Sequence, residues 1–175
     1  MNLERYKFAK KQVKLFKDKL DANVMILPNT DIGKDCKIGG GTCIGYEGFG
    51  FEREEDGTPF RIPHIGKVII GDRVEIGHNS VIARGTVGNT VIGEDVKIDD
   101  MVFIAHNVTI GDCTMIAAGA VICGSVKIGI NCWIGAGCRI KEHVIIGDYA
   151  TIGLGAVITH NVTAGERIIK FNERI

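Results

Sequence analysis

The sequence lacks any imbalance of charge: 21 Lys and Arg stand against 21 Asp and Glu in 175 residues. That removes the electrostatic footprint expected of a protein whose partner is nucleic acid. There is no run of 18 apolar residues to span a bilayer, and the lysine-rich N-terminus lacks the apolar stretch of a secretion signal, so the chain reads as cytoplasmic. CxxC pairs are missing too. Cys36, Cys43, Cys113, Cys123, Cys132 and Cys138 are spaced neither as a metal cluster nor as a disulfide framework, and they read as reduced thiols serving as small apolar groups. The histidines, His64, His78, His106, His143 and His160, contain no pair five apart, the spacing on which a three-histidine zinc site in a solenoid depends. No metal and no tightly bound cofactor is expected.

What the sequence has is a beat of six. From Ile92 to Ile158 every sixth residue is isoleucine. A helix repeats near 3.6 residues and a strand at two, so this period belongs to a larger unit stacked on itself, and hexads are the mark of a parallel β-helix. Four residues after each isoleucine comes a second, smaller inward position: Val96, Val102, Val108, Thr114, Ala120, Val126, Cys132, Cys138, Val144, Ala150, Ala156, Val162. If each hexad is one short strand and one corner, three hexads close a triangular coil of 18 residues, and coils stack at the ~4.8 Å spacing of paired strands. Glycine, at 24 residues, is about twice its usual ~7% share, as corners with positive φ would require.

In chain order, residues 1–19 read as a helix over Glu4–Lys19 that caps the open end of the solenoid, its lysines also suited to an acidic partner such as an acyl carrier protein. The β-helix domain spans 20–164. It starts with Leu20, Ile26, Ile32, Ile38 and Ile44, breaks for an excursion at 45–63, and resumes at Ile70, Ile76 and Ile82. A four-residue insertion within ARGTVGNTV then shifts the frame to Ile92, and residues 165–175 form a short tail. Counting a hexad at 64, the total is 21 hexads, or about seven coils. Long loops in compact folds are often functional, and Phe49, Phe51 and Phe60 on this one are expected to pack against a neighbouring subunit or substrate.

With an 18-residue coil, His106, Gly124, Glu142 and His160 fall on one vertical line at an outward corner, with Arg84 beneath once the insertion is subtracted. Such a line of polar groups is a candidate wall of an active site. A second line, through Ala118, Gly119, Ala136, Gly137 and Gly155, offers room for a thin chain such as a phosphopantetheine arm.

The segments GYEGFGF, RIPHIGKVIIGDRVEIG and TVIGEDVKIDDMVFIAHNVTIGD, from about residue 45 to residue 147, resemble the catalytic region of the UDP-3-O-acylglucosamine N-acyltransferases of lipid A biosynthesis. The resemblance implies a left-handed parallel β-helix, an all-β solenoid, that assembles as a homotrimer with active sites in clefts between subunits. Handedness comes from the resemblance alone, since the general preference for right-handed crossovers points the other way. The resemblance also assigns Asp99 as the acid that orients His106, and matches His143 to a histidine that contacts substrate or donor. Two positions depart from the family pattern: Ala83 stands where it usually has an acid, and Phe103 where it has glutamine. Its uridine-binding domain and its C-terminal helices have no counterpart in these residues.

Acylating an amine requires a base, because the attacking nitrogen loses a proton as it adds to a thioester carbonyl. A neutral histidine suits that task, and His106 is the candidate. Gly124, one coil above and without a side chain, can present a backbone N–H to the oxyanion. The expected function is therefore an acyltransferase moving an acyl group from acyl-CoA or an acyl carrier protein to the amine of an amino sugar, nucleotide-linked, in lipopolysaccharide synthesis. O-acylation of a sugar and a non-catalytic trimeric scaffold are the alternatives.

Overall fold

The computed structural model describes residues 19–169. Three parallel sheets of eight, seven and six strands form the faces of a triangular prism, and successive hexads visit them in turn. The first face runs from Lys19–Leu20 through Lys37–Ile38, Glu75–Ile76, Lys97–Ile98, Met115–Ile116, Trp133–Ile134 and Thr151–Ile152 to Arg167–Ile168. Isoleucine sits on isoleucine along each face, as in the pairs Ile98↔Ile116, Ile104↔Ile122 and Ile110↔Ile128.

Periodicity becomes structure because a strand of two residues cannot bury an apolar side chain alone, whereas a stack can. Ile104, Ile122 and Ile140 are fully buried, and all twelve of the smaller inward residues from Val96 to Val162 are buried with them. Thr114 takes its place among them because its hydroxyl donates to the Gly129 carbonyl at 2.9 Å and accepts from Cys132 N–H at 3.0 Å. Burial pushes the Cys138 thiol up to about 11, which leaves it a packing group. Backbone polar groups are satisfied from coil to coil, as where Phe103 N–H meets Ala120 O and Ala105 N–H meets Ile122 O.

The corners depart from expectation in an instructive way. Positive φ recurs every sixth residue from 101 to 155, but most of these positions are not glycine: Met101, Asn107, Cys113, Ser125, Asn131, His143 and Tyr149 share it with Gly119, Gly137 and Gly155. Many of the remaining glycines answer to close stacking instead. A Cβ on Gly111 would lie 2.6 Å from the Gly129 carbonyl carbon on the next coil.

Two interruptions shape the functional corner. The segment expected as a loop at 45–63 contains an antiparallel hairpin, Phe51–Arg53 with Pro59–Arg61, rooted by a bulge where Cys43–Glu47 pairs Val81–Arg84. The chain then returns through Ile65 and Gly66, which bond Thr86 and Gly85 in the second insertion. Position 64 is therefore not a rung, and Ile44 is followed directly by Ile70 on the third face. Arg167–Ile168 pairs with Thr151–Ile152, so the first face is visited eight times, with one rung beyond the last hexad of the beat. The helix expected over Glu4–Lys19 lies outside the described residues, apart from Lys19, which is in a strand. No helix among the described residues is long and apolar enough to cross a membrane.

Candidate active site

The corner that follows the second face, the seven-stranded sheet that includes Cys43–Glu47, Val81–Arg84, Phe103–Ile104 and Val121–Ile122, carries His106. Ser125 N–H bonds His106 O at 2.9 Å, and His143 N–H bonds Gly124 O at 3.0 Å, so 106, 124 and 142 occupy consecutive rungs of one edge as their spacing predicts. Gly124 lies directly over the imidazole: a Cβ there would be 2.7 Å from His106 Cε1 and 2.8 Å from Nε2. The hairpin folds over the same corner. Together they enclose a cavity of about 370 Å³ lined by His106, Asn107, Ser125, His143, Phe49 and Phe51 among others.

His106 is held by Asn107, a residue that the sequence reading passed over. Asn107 Oδ1 accepts from Thr86 N–H at 3.1 Å and from Thr86 Oγ1 at 2.7 Å. A backbone N–H only donates, so this amide atom is the oxygen, and His106 Nδ1, 3.1 Å from it, must be the donor. The imidazole is thereby fixed in the tautomer that leaves Nε2 bare beneath Gly124. The insertion in ARGTVGNTV is what makes this possible, because it carries Thr86 up to Asn107.

Asp99 does not take that role within the chain. Its carboxylate accepts from Asp100 N–H at 2.8 Å at the corner after the first face, where it lines a separate cavity of about 340 Å³ with Met115, Ala117 and Trp133. A face of the prism, on the order of 15 Å wide, separates the two corners. The column of small residues stands with Asp99: Gly119 N–H bonds Asp100 O, Gly137 N–H bonds Ala118 O and Gly155 N–H bonds Ala136 O. Its glycines leave open space, with nothing within 4 Å of a Cβ on Gly119, Gly137 or Gly155.

The other expected contacts divide similarly. His143, Phe49 and Phe51 line the His106 cavity, with the two rings 5.0 Å apart and the Arg61 guanidinium 4.5 Å over Phe51. Phe49 is 82% exposed, so within one chain it packs on little else. Arg84 turns away and donates to Glu47 Oε1 at 2.7 Å. Glu142 and His160 stand exposed higher on the edge, outside the cavity lining. Among the described residues no cluster of three His, Cys, Asp or Glu side chains is placed to hold a metal ion.

His64 is the second residue missed. It is 2% exposed and its ring meets His106 edge to face, with centroids 5.3 Å apart. Burial pushes its imidazole below the ordinary value, partly offset by the Ile62 carbonyl it faces. A histidine depressed in this way favours the folded state above the unfolded value of ~6.5 and loses that advantage as pH falls through the folded one. We expect chemical denaturation to show stability falling as pH drops below ~6.5, with this component absent in His64→Gln.

Fold and site together define a hexapeptide-repeat parallel β-helix with a histidine-centred pocket on one edge. The family described as bacterial transferase hexapeptide (six repeats) matches residues 89–124 and 125–160. Over 106 residues the chain is 51% identical to the UDP-3-O-acylglucosamine N-acyltransferase of Coxiella burnetii, covering 61% of this chain and 31% of the relative. A probable UDP-3-O-acylglucosamine N-acyltransferase 2, mitochondrial, of Arabidopsis thaliana is 46% identical over 99 residues, 57% of this chain and 33% of the relative. The chain thus spans about a third of the length of these curated relatives. Among solved structures, a UDP-N-acetylglucosamine acyltransferase from Bacteroides fragilis superposes with a TM-score of 0.72 at 27% identity, over 81% of this chain and 53% of that one.

Proposed function

We propose that the protein is an N-acyltransferase that moves an acyl group from a thioester to the amine of a nucleotide-linked amino sugar, with His106 as general base. The observation that carries this reading is the tautomer of His106, locked by Asn107 so that a bare Nε2 lies under Gly124 and faces a cavity. As the amine nitrogen bonds the thioester carbonyl carbon, Nε2 takes its proton. The oxyanion accepts from the Gly124 N–H, which bonds no other group among the described residues. Collapse of the intermediate breaks the C–S bond, and the imidazolium returns its proton to the departing sulfur. A hydroxyl acceptor would follow the same path.

The division of residues between two corners supports a trimer as the working form. His106, Gly124 and His143 lie on one edge, while Asp99 and the open column through Gly119, Gly137 and Gly155 lie on the next. Three prisms side by side would set one subunit's catalytic edge against its neighbour's small-residue edge, giving the thioester arm of CoA or an acyl carrier protein a groove that ends at His106. The relatives' names, both UDP-3-O-acylglucosamine N-acyltransferases, support a UDP-linked acylated glucosamine as the class of acceptor. The test is thiol release from acetyl-CoA and from acyl carrier thioesters, with a panel of nucleotide amino sugars. Release dependent on the amino sugar is expected. Folded protein that turns over no pair would leave the scaffold reading in its place.

A further inference from the structure

His64 has no part in the steps above, yet it is built into the site at a cost. Its Nδ1 lies 3.1 Å from the Ile62 carbonyl, which can only accept, so Nδ1 carries the proton and Nε2 is a bare lone pair. That Nε2 is buried and has no partner among the described residues. An unpaired buried acceptor costs roughly 1–3 kcal/mol, so an apolar side chain of similar shape would serve folding better. Gly48 lies between the two rings: a Cβ there would be 3.1 Å from His64 Nε2 and 3.5 Å from His106 Cδ2, so the bare nitrogen and the edge of the catalytic ring border the same small residue. Gly50 closes the adjoining side of the His64 ring, where a Cβ would be 2.7 Å from Cε1 and 3.4 Å from Nε2.

We propose that His64 is a positioning residue for His106: it braces the ring edge to face, and its bare Nε2 stabilises the imidazolium that forms when His106 accepts a proton. This rests on His106 acting as the base. The remaining charged groups around the pair are Glu47 and Arg61 at the root of the hairpin and Arg84 on the rung beneath, with His143 above. Glu47 accepts from Arg84 at 2.7 Å and lies 4.0 Å from Arg61, so part of the positive charge beside the imidazoles is offset. Burial keeps His64 neutral, and a neutral ring is what the role needs, because a protonated His64 would repel the forming imidazolium. The glycines of GYEGFGF acquire a reason as well: residues 48 and 50 must be bare to admit two imidazoles in contact.

The experiment compares wild type, His64→Leu and His64→Gln as full chains, reading how fast diethyl pyrocarbonate carbethoxylates His106, by peptide mass mapping from pH 5 to pH 8. This needs no substrate. Leucine fills the space without a lone pair, while glutamine restores an acceptor. Only the neutral ring reacts, so we expect the pH midpoint of His106 labelling to move down in His64→Leu, giving about threefold or more reactivity on the acid side, and to stay near wild type in His64→Gln. In the transfer assay the same pair should split, with kcat falling about tenfold in His64→Leu at unchanged KM. An equal labelling midpoint in wild type and His64→Leu overturns the proposal, as does an equal shift in both variants, which would mean packing alone. Nitrogen-15 NMR of the wild type gives an independent reading if either variant misfolds: His64 should show the Nδ1–H tautomer, and an Nε2–H tautomer would rule the role out. If no thioester is turned over while His106 reactivity still depends on residue 64, the transferase reading fails and the coupling of the two rings stands.

Discussion

His106→Ala is expected to lower the rate of acyl transfer by about 10²–10⁴-fold while leaving the solenoid intact. The imidazole is held at its Nδ1 by one amide oxygen, meets His64 edge to face, and has no share in the isoleucine columns that stabilise the coil, so its removal takes away the proton acceptor without unseating the core. Circular dichroism and thermal midpoint should match wild type, and the loss should fall on kcat rather than KM, because the base acts in the transition state. Thiol release measured with the productive thioester and amino sugar checks it. A variant that keeps wild-type kcat would remove His106 from the mechanism.

Gly124→Ala should be nearly as damaging for a different reason. The added methyl would stand 2.7 Å from His106 Cε1 and 2.8 Å from Nε2, closer than real contacts allow. Gly124 is absent from the positive-φ positions, so the backbone accepts alanine and the strain is relieved at the ring. Overpacking of this kind costs about 1–3 kcal/mol if nothing moves, and swinging the imidazole aside is the cheaper course. A displacement of about 1 Å at the reacting atoms costs on the order of 10²-fold, so kcat/KM should drop by at least that much. The same kinetics, with a crystal structure showing His106 off its Asn107 partner, checks the cause. Undiminished activity would mean that the space above Nε2 is not where the acceptor is activated.

These two residues were legible before any coordinates because their alignment depends only on the period. His106 and Gly124 are 18 apart in an unbroken row of hexads, and an unbroken row has one register. The partner of His106 was not legible in the same way. Asp99 was assigned by resemblance and sits at another corner of the same chain, while Asn107 gave no signal beyond adjacency. Its role depends on Thr86, which reaches it only because the insertion between Ile82 and Ile92 bends the chain upward. His64 reads by the period as the start of a hexad, although it lies in the irregular segment after the hairpin strand Pro59–Arg61 and is buried against His106. The last rung, Arg167–Ile168, follows Ile158 by ten residues and so falls outside the beat that announced the others.

The amino-acid sequence by itself determined the prism: a recurring isoleucine with a small inward partner has only one way to bury both, and that stacks coil upon coil and aligns residues a fixed interval apart. Tertiary structure decided what the histidine edge can do. The hairpin and the second insertion have no period, so where they land, which glycines admit His64, and which oxygen holds His106 follow from contacts between residues far apart in the chain. Local pattern sets the backbone path, but the protonation geometry of a site is set by whatever the fold brings within hydrogen-bonding distance of it.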